Sequence, residues 1–545
     1  MNNLLRSLLG VTLLAGLLPV AAVALPRGLE DRMFWIGDKG TAEVHAGRAV
    51  MAVADPKRSA PPFGNPSGWE RRDDRSRPTE RAKRSWVVVD TLSSSTTTEA
   101  GTPTTTEAAT PTTTAVSKSS TSTAPPSTTT TTTKPADGSE QSKGPITGDA
   151  CPCTVTGTVE LKGEISLQGD LTVKGGTLIA RPGVNLDGNG FQIVFMEGGK
   201  ADFQGTPVFT WSGNGSNANL ERDINFRDLQ RIIHHSEAGA SIMRFFTVSD
   251  SGTPTIGDYP LHWHLNGNSS RGTIVEGVVV INGGHHAFVP HGSHGITFKD
   301  TIARNTSGDA YWWDPPGTNE SCEFQKFCTK DNSNDITYDH ALAYNVTKGP
   351  NDTRGFRLTG FALGAGAGNV IRNSVATNIS PSHIKDCSGF HWPEWANGNT
   401  GGNVWEFTNN QSSSSSGCHG IFVWQNDSNP HIVDGFTGGG IDHGAYKNRY
   451  VYKNIDVPYL EVHAAGWRVA SGRIDIVFTR GHRSALVPTA VFENVTINRF
   501  VIQNGNGELP GHYVLNNTGL GCDDIEYELV FPGTKVIIDG EECGS

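Results

Sequence analysis

Beyond its first two dozen residues this chain has no apolar run long enough to span a bilayer, so stable membrane insertion is not expected. It is also short of positive charge. Lysine and arginine number 44 against 55 aspartates and glutamates, a net charge of −11. That balance excludes a general nucleic-acid or anionic-membrane binder, whose affinity rests on cationic side chains. Amphipathic helical patterning is nearly missing, with Asn219 to His235 as the best candidate helix. Cysteines number eight, which fits an oxidising compartment. Their order suggests local staples: Cys322 with Cys328, Cys387 with Cys418, and Cys522 with Cys543. Cys151 and Cys153 remain. A bridge across the single proline between them would be strained, and a zinc site there lacks a second CxxC-like pair.

The N-terminal residues read as a secretory signal. Arg6 supplies the positive region, Leu8 to Val23 the apolar run, and Ala22-Val23-Ala24 the small-residue cleavage pattern, so residues 1–24 are expected to be removed. Residues 25–84 are mixed in charge, show no clear periodicity and end in Arg81-Ala-Lys-Arg84. That ending resembles a site for furin- and kexin-type processing proteases and makes the segment a candidate pro-segment; a solvated basic run is the plainer reading. Thr and Ser with interspersed Pro dominate 92–143. Such composition buries too little apolar surface to offset ordering entropy, so 85–148 is expected to be a disordered, O-glycosylated linker. Eleven Asn-x-Ser/Thr sequons all follow residue 210 and would be widely glycosylated in a eukaryotic secretory pathway. The expected product is a secreted, extracellular or cell-surface monomer.

From Cys151 onward short β-branched or aromatic runs alternate with Gly, Asn, Asp and Ser, as in Ile274 to Ile281 and Val491 to Ile497. Many short strands with turn signals mean an all-β fold. Internal repetition narrows it. Val278-Val-Val-Ile-Asn282 recurs 23 residues on as Thr301-Ile-Ala-Arg-Asn305, then as Ala341-Leu-Ala-Tyr-Asn345 and Ser374-Val-Ala-Thr-Asn378. Each ends in Asn and precedes a run containing an aromatic. A repeat of this length with loop insertions is the signature of a parallel β-helix, a solenoid. Asn at the turns can adopt left-handed geometry and hydrogen-bond along the stack.

The densest chemistry lies between Tyr259 and Asp314: YPLHWHLNGN, then GGHHAFVPHGSHG, then GDAYWWD. Six of the 18 histidines fall between His262 and His294. Aligning the second run of each repeat sets Leu261-His262-Trp263-His264 over Phe288-Val289-Pro290-His291 and Tyr311-Trp312-Trp313-Asp314. Gly355-Phe356-Arg357-Leu358, Gly389-Phe390-His391-Trp392 and Gly420-Ile421-Phe422-Val423-Trp424 follow. Alternate residues of a strand share a face, and coils stack about 4.8 Å apart. His264, His291 and Asp314 then form one column, and His262, Val289, Trp312, Arg357, His391 and Phe422 its neighbour. Imidazoles and a carboxylate so placed could bind a divalent metal through His262, His264, His291 and Asp314, or act directly as acid and base. Trp312, Trp392 and Trp424 could stack on sugars, with Trp313 and Trp395 at the rim, while Arg357 could hold a carboxylate substituent. His285, His286 and His294 read as turn residues.

The stretch YPLHWHLNGN … HGSHGITFKDTIARNTSGDAYWWD resembles the β-helix region of the cell migration-inducing, hyaluronan-binding protein family, which includes a transmembrane hyaluronidase and the fibrocystin-like proteins. Tyr259, Pro260, His262, His264, His291, Gly292, Gly295, Lys299, Asp300 and Asp314 fit that family's pattern. Trp263 stands where the family has Phe, and Asp314 where it has Glu. Residues 149–215 resemble a divergent form of the family's eight-glycine domain, leaving 216–545 as the β-helix domain. The resemblance implies a right-handed parallel β-helix acting on, or binding, hyaluronan or a related glycosaminoglycan.

A secreted polysaccharide-degrading enzyme is therefore the leading expectation, with hydrolysis preferred to elimination. His264, His291 and Asp314 would form its centre, assisted by His262 and His391. Trp312, Arg357, His391, Trp392 and Trp424 would hold the chain. Two alternatives stand beside it: a non-catalytic glycan-binding or adhesive module, and a structural β-helix whose histidine column holds a stabilising metal.

Overall fold

The computed structural model describes strands at 33–35, 40–45, 48–53 and 87–89. From residue 144 it describes all but 151–152, 313–332, 349–357, 365, 381–386, 393–405, 414–416, 424–429, 445–448, 463–466, 481–488, 505–509 and 545. The chain divides into two units. In the first, Met33–Trp35, Gly40–His45, Arg48–Val53 and Val87–Val89 form a four-stranded antiparallel sheet. Its strands occupy a stretch in which no periodicity is evident from sequence, and the last lies where linker is expected.

The second unit is a parallel β-helix. Among the described residues its 41 strands pair in parallel except for the final pair. One coil shows the plan. Thr273–Glu276, Val279–Ile281 and Phe288–Ser293 each pair with the strand three further on: Ile296–Lys299, Ile302–Thr306 and Tyr311–Trp312. The ladder crosses residue 216 without a break, Val184–Asp187 pairing with Ile224–Arg227. Near the C-terminus the second and third strands of each coil merge, as in Ile455–Val462 and Gly472–Thr479. At the last coil the chain turns back, Glu541–Glu542 lying antiparallel on Lys535–Ile538.

The expected helix at Asn219–His235 is not formed. Its residues make strands Ile224–Arg227 and Ile232–His235, separated by Asp228 at φ 49°. Alternation wins there because Phe226 and Ile232 enter the solenoid core while Asn225 and Arg227 face out. The helical elements among the described residues are single 3₁₀ turns at Asn268–Ser270 and Cys522–Asp524.

The Asn-ended repeat aligns as its sequence suggests, with Ile281 against Arg304 and Val280 against Ala303. Asn282, Asn305, Asn345 and Asn378 all take left-handed geometry, at φ 55°, 56°, 58° and 54°. Each Nδ2 donates to the coil before it: Asn282 to Asp250 at 2.9 Å, Asn305 to Asn282 at 3.1 Å, Asn345 to Asn305 at 2.6 Å and Asn378 to Asn345 at 2.9 Å. Inside, a second ladder sets the register. The rings of Phe288, Tyr311, Phe361 and Phe390 stack at 4.9, 4.5 and 5.0 Å, within 8° of parallel. Disulfides join Cys387 to Cys418 and Cys522 to Cys543, as their order suggests. Cys153 is disulfide-bonded too, so it is not available as a zinc thiolate. The expected Cys322–Cys328 pair lies outside the described residues.

One core position titrates. His234 is buried between the rings of Phe195 and Trp263, 4.5 and 5.3 Å away. Burial, with a smaller contribution from His235, pushes its pKa down to about 3. The imidazole is thus neutral in the fold and free to protonate in the unfolded chain. Its contribution to stability is complete above the ordinary value near 6.5 and is lost as pH falls towards the folded value. The difference in unfolding free energy between the protein and a His234→Phe variant is expected to shift by about 1.4 kcal/mol per pH unit between about pH 6 and pH 4. Urea titrations across that range would show it; a pH-independent difference would contradict it.

Candidate functional site

Strand Leu261–Gly267 positions the first two histidines by alternation. Leu261 and Trp263 turn into the core, so His262 and His264 turn out. On the next coil Phe288–Ser293 pairs with it, His262 against Val289 and His264 against His291. The imidazoles of His262, His264 and His291 converge, and their candidate ligand atoms all lie within 4.8 Å of one another. His264 meets the other two edge to face, at centroid distances of 5.0 and 4.9 Å. His262 is 2 % exposed and His291 7 %, whereas His264 is half-open. This group could hold a metal ion.

A loop folded over the strand fixes one imidazole. His262 Nδ1 is 3.2 Å from the carbonyl oxygen of Gly257, to which it can donate only in the tautomer that leaves Nε2 bare. The same carbonyl accepts from Arg231 Nη1 at 3.1 Å. Arg231 also pairs with buried Asp258 at 3.2 Å, and the Thr253 hydroxyl donates to Asp258 at 2.8 Å. His262 Nε2 is thereby turned into the recess, buried and without a hydrogen-bond partner among the described residues. Burial, then the neighbouring His264 and His291, hold His262 well below the usual imidazole pKa, so it is a neutral donor at physiological pH.

Several recess residues escape a sequence reading. Tyr259 is fully buried and its ring touches His262 and His285 at 4.8 Å each, His286 at 5.3 Å and Trp312 at 5.8 Å. His285 and His286 do occupy a turn, but both are fully buried. His286 Nδ1 accepts from the Asp309 backbone N–H at 2.8 Å, and Asp309 Oδ1 accepts from Thr359 N–H at 2.7 Å. The pair YP carries a signal only through the family pattern, and HH only through its nearness to HWH. Asp309, in an ordinary SGD turn, carries none. His235, paired with His264 one coil back, is hidden by its assignment to a helix. His294 is half-buried and its Nδ1 accepts from Asn334 N–H at 3.2 Å, a turn role as expected.

The remaining expected residues divide. Asp314, Arg357, Trp313, Trp395 and Trp424 lie outside the described residues. The column place beside Trp312 belongs to Ala362, which pairs with both Trp312 and His391. The shift of five from the expected position follows from the aromatic stack, in which Phe361 bridges Tyr311 and Phe390. Trp392 is no platform. It points inward, 2 % exposed, and packs on Phe407 at 5.4 Å. Trp312 does face out, against Tyr259, Val289 and Ala362, but His286 stacks on its ring at 3.7 Å, so it forms a wall of the recess. His391 faces out half-buried, 5.3 Å from Phe422. Beyond it the column runs on to Asp442 and Glu461, the latter paired with Arg480 at 2.8 Å.

Residues 235–324 match the family model described as CEMIP beta-helix. The matched segment contains His264, His291, Tyr259 and Trp312. No curated protein and no solved structure matches the chain.

Proposed function

We propose, from a CEMIP-type β-helix segment whose outer face gathers three imidazoles, that this protein acts on a polysaccharide, hyaluronan or a related glycosaminoglycan, and cleaves it by hydrolysis. The observation that carries this reading is the convergence of His262, His264 and His291 on the outer side of two successive solenoid strands. A solenoid presents a long continuous face, which suits a polymer. His264, the most accessible of the three, is the candidate catalytic group on the solvent side of the cluster. Trp312 and Tyr259 pack beside the cluster, and His391 lies in the column of His262 four coils further on. The disulfides fit an extracellular setting, and among the described residues no helix is long and apolar enough to cross a membrane.

The test uses the purified full chain. It is incubated with hyaluronan and a panel of uronate polymers, with and without chelator, and chain length is followed by size-exclusion chromatography. Shortening of at least one polymer is expected, with no unsaturated uronate absorbance at the new ends. Binding without any shortening would replace the enzyme by a glycan-binding module. Unsaturated ends would replace hydrolysis by elimination.

A further inference from the structure

We propose that the recess is a centre for a zinc-class divalent ion, held by His262, His264 and His291 with a further coordination position left for water or substrate. The inference rests on the functional reading above for the location of the chemistry and gives that location its metal.

The donor set selects the class of ion. Among the described residues the metal-competent group consists of three imidazoles, with no carboxylate in it. Ca²⁺ takes six to eight oxygen ligands and Mg²⁺ keeps oxygen ligands in octahedral geometry, so neither suits this set. Imidazole nitrogen suits Zn²⁺, Co²⁺, Ni²⁺ and Cu²⁺. Three protein ligands with one open position are also the pattern of catalytic rather than closed structural zinc.

His262 supplies an independent sign of a missing partner. Its Nε2 is buried, bears a lone pair in the tautomer that donates to Gly257, and meets no hydrogen-bond partner among the described residues. A buried polar atom left so is destabilising unless something binds it. A ring nitrogen oriented by a backbone carbonyl on its far side is the usual outer arrangement of a metal-bound histidine. Here that carbonyl is itself fixed by Arg231, which the Asp258 carboxylate anchors. The ligand atoms lie within 4.8 Å of one another, and Zn–N bonds of about 2.0–2.1 Å would draw them closer. Rotation of imidazoles on strands held by the coil ladder can supply that movement. His262, His264 and His291 would hold the ion, and the chemistry it would supply is Lewis-acid activation of water, which hydrolysis needs.

The experiment begins with the full chain stripped by chelator and dialysed, then titrated with Co²⁺. One tight equivalent is expected, with the visible absorption of a four- or five-coordinate site. One equivalent of Zn²⁺ should bleach it, and a large excess of Ca²⁺ or Mg²⁺ should not. His262→Phe and His291→Ala should each weaken Co²⁺ binding by more than about a hundredfold, beyond what loss of an outer partner causes, with an unchanged far-UV circular dichroism spectrum. The wild-type spectrum needs no variant, so the proposal stays testable if either variant misfolds. A six-coordinate spectrum, displacement by Ca²⁺ or undiminished binding in both variants would overturn it. Zinc bound without polymer shortening would refute the enzyme and leave the ion. Undiminished shortening by stripped protein would refute the ion and leave the enzyme.

Discussion

Replacing His264 by alanine is expected to lower the rate of polymer shortening by about 10²–10⁴-fold, the scale on which a positioned catalytic group acts, while leaving the fold intact. His264 is the right member of the cluster to remove. It is half-open where His262 and His291 are buried, so truncation leaves little cavity. Its neighbours Leu261 and Trp263 hold the strand in the core independently of it. The unfolding free energy should therefore move by under about 1 kcal/mol, as for a surface change. Initial rates from chain-length measurements, with a urea titration on the same sample, check both halves. Full activity in the variant would remove His264 from the centre. Loss of folding along with activity would instead make the cluster a stabilising metal site.

A different outcome is expected at Phe361, whose replacement by alanine should destabilise the protein by about 3–5 kcal/mol. Its ring sits inside the solenoid between Tyr311 and Phe390 at 4.5 and 5.0 Å, fully buried. Alanine would open a cavity in a column that the coils above and below cannot close, because the backbone ladder fixes their spacing. The damage should reach the recess, since Ala362 is next in the strand and pairs with Trp312. A Phe361→Leu variant should recover much of the loss. Equilibrium unfolding of both variants reads the effect, and a cost under about 1 kcal/mol would show that the stack does not set the register.

The histidine column was legible because strand alternation and coil stacking are short-range rules. His262 and His264 are two apart, and His291 falls opposite His264 once the Asn-ended repeats are aligned. The alignment slipped at the next long insertion. Two Gly-Phe pairs occur there, Gly355-Phe356 and Gly360-Phe361, and only the interior stack tells them apart. Trp392 shares an inward face with Phe390, two residues before it, so alternation alone keeps it from the outer groove. What could not be read at all depends on a loop returning to its own strand. Nothing in the string says that Gly257 will orient His262, that Arg231 will hold Gly257, or that Asp309 will meet His286. The strands at Asn219–His235 were hidden for a related reason. Short strands of four residues carry too few turns of either period to choose between helix and sheet without the coil they join.

The turned-back pair at the last coil has a consequence for how the molecule lives at high concentration. A parallel β-helix ends in a row of unpaired backbone donors and acceptors, and a row of that kind recruits the matching edge of another copy. Here Glu541–Glu542 is laid antiparallel across Lys535–Ile538, and the Cys522–Cys543 bridge ties the residue that follows to the preceding coil. An approaching strand finds part of the edge occupied and two carboxylates in front of it. The same stacking that builds the solenoid from within is thus blunted along this edge, a guard against one copy adding to another as a fibre does.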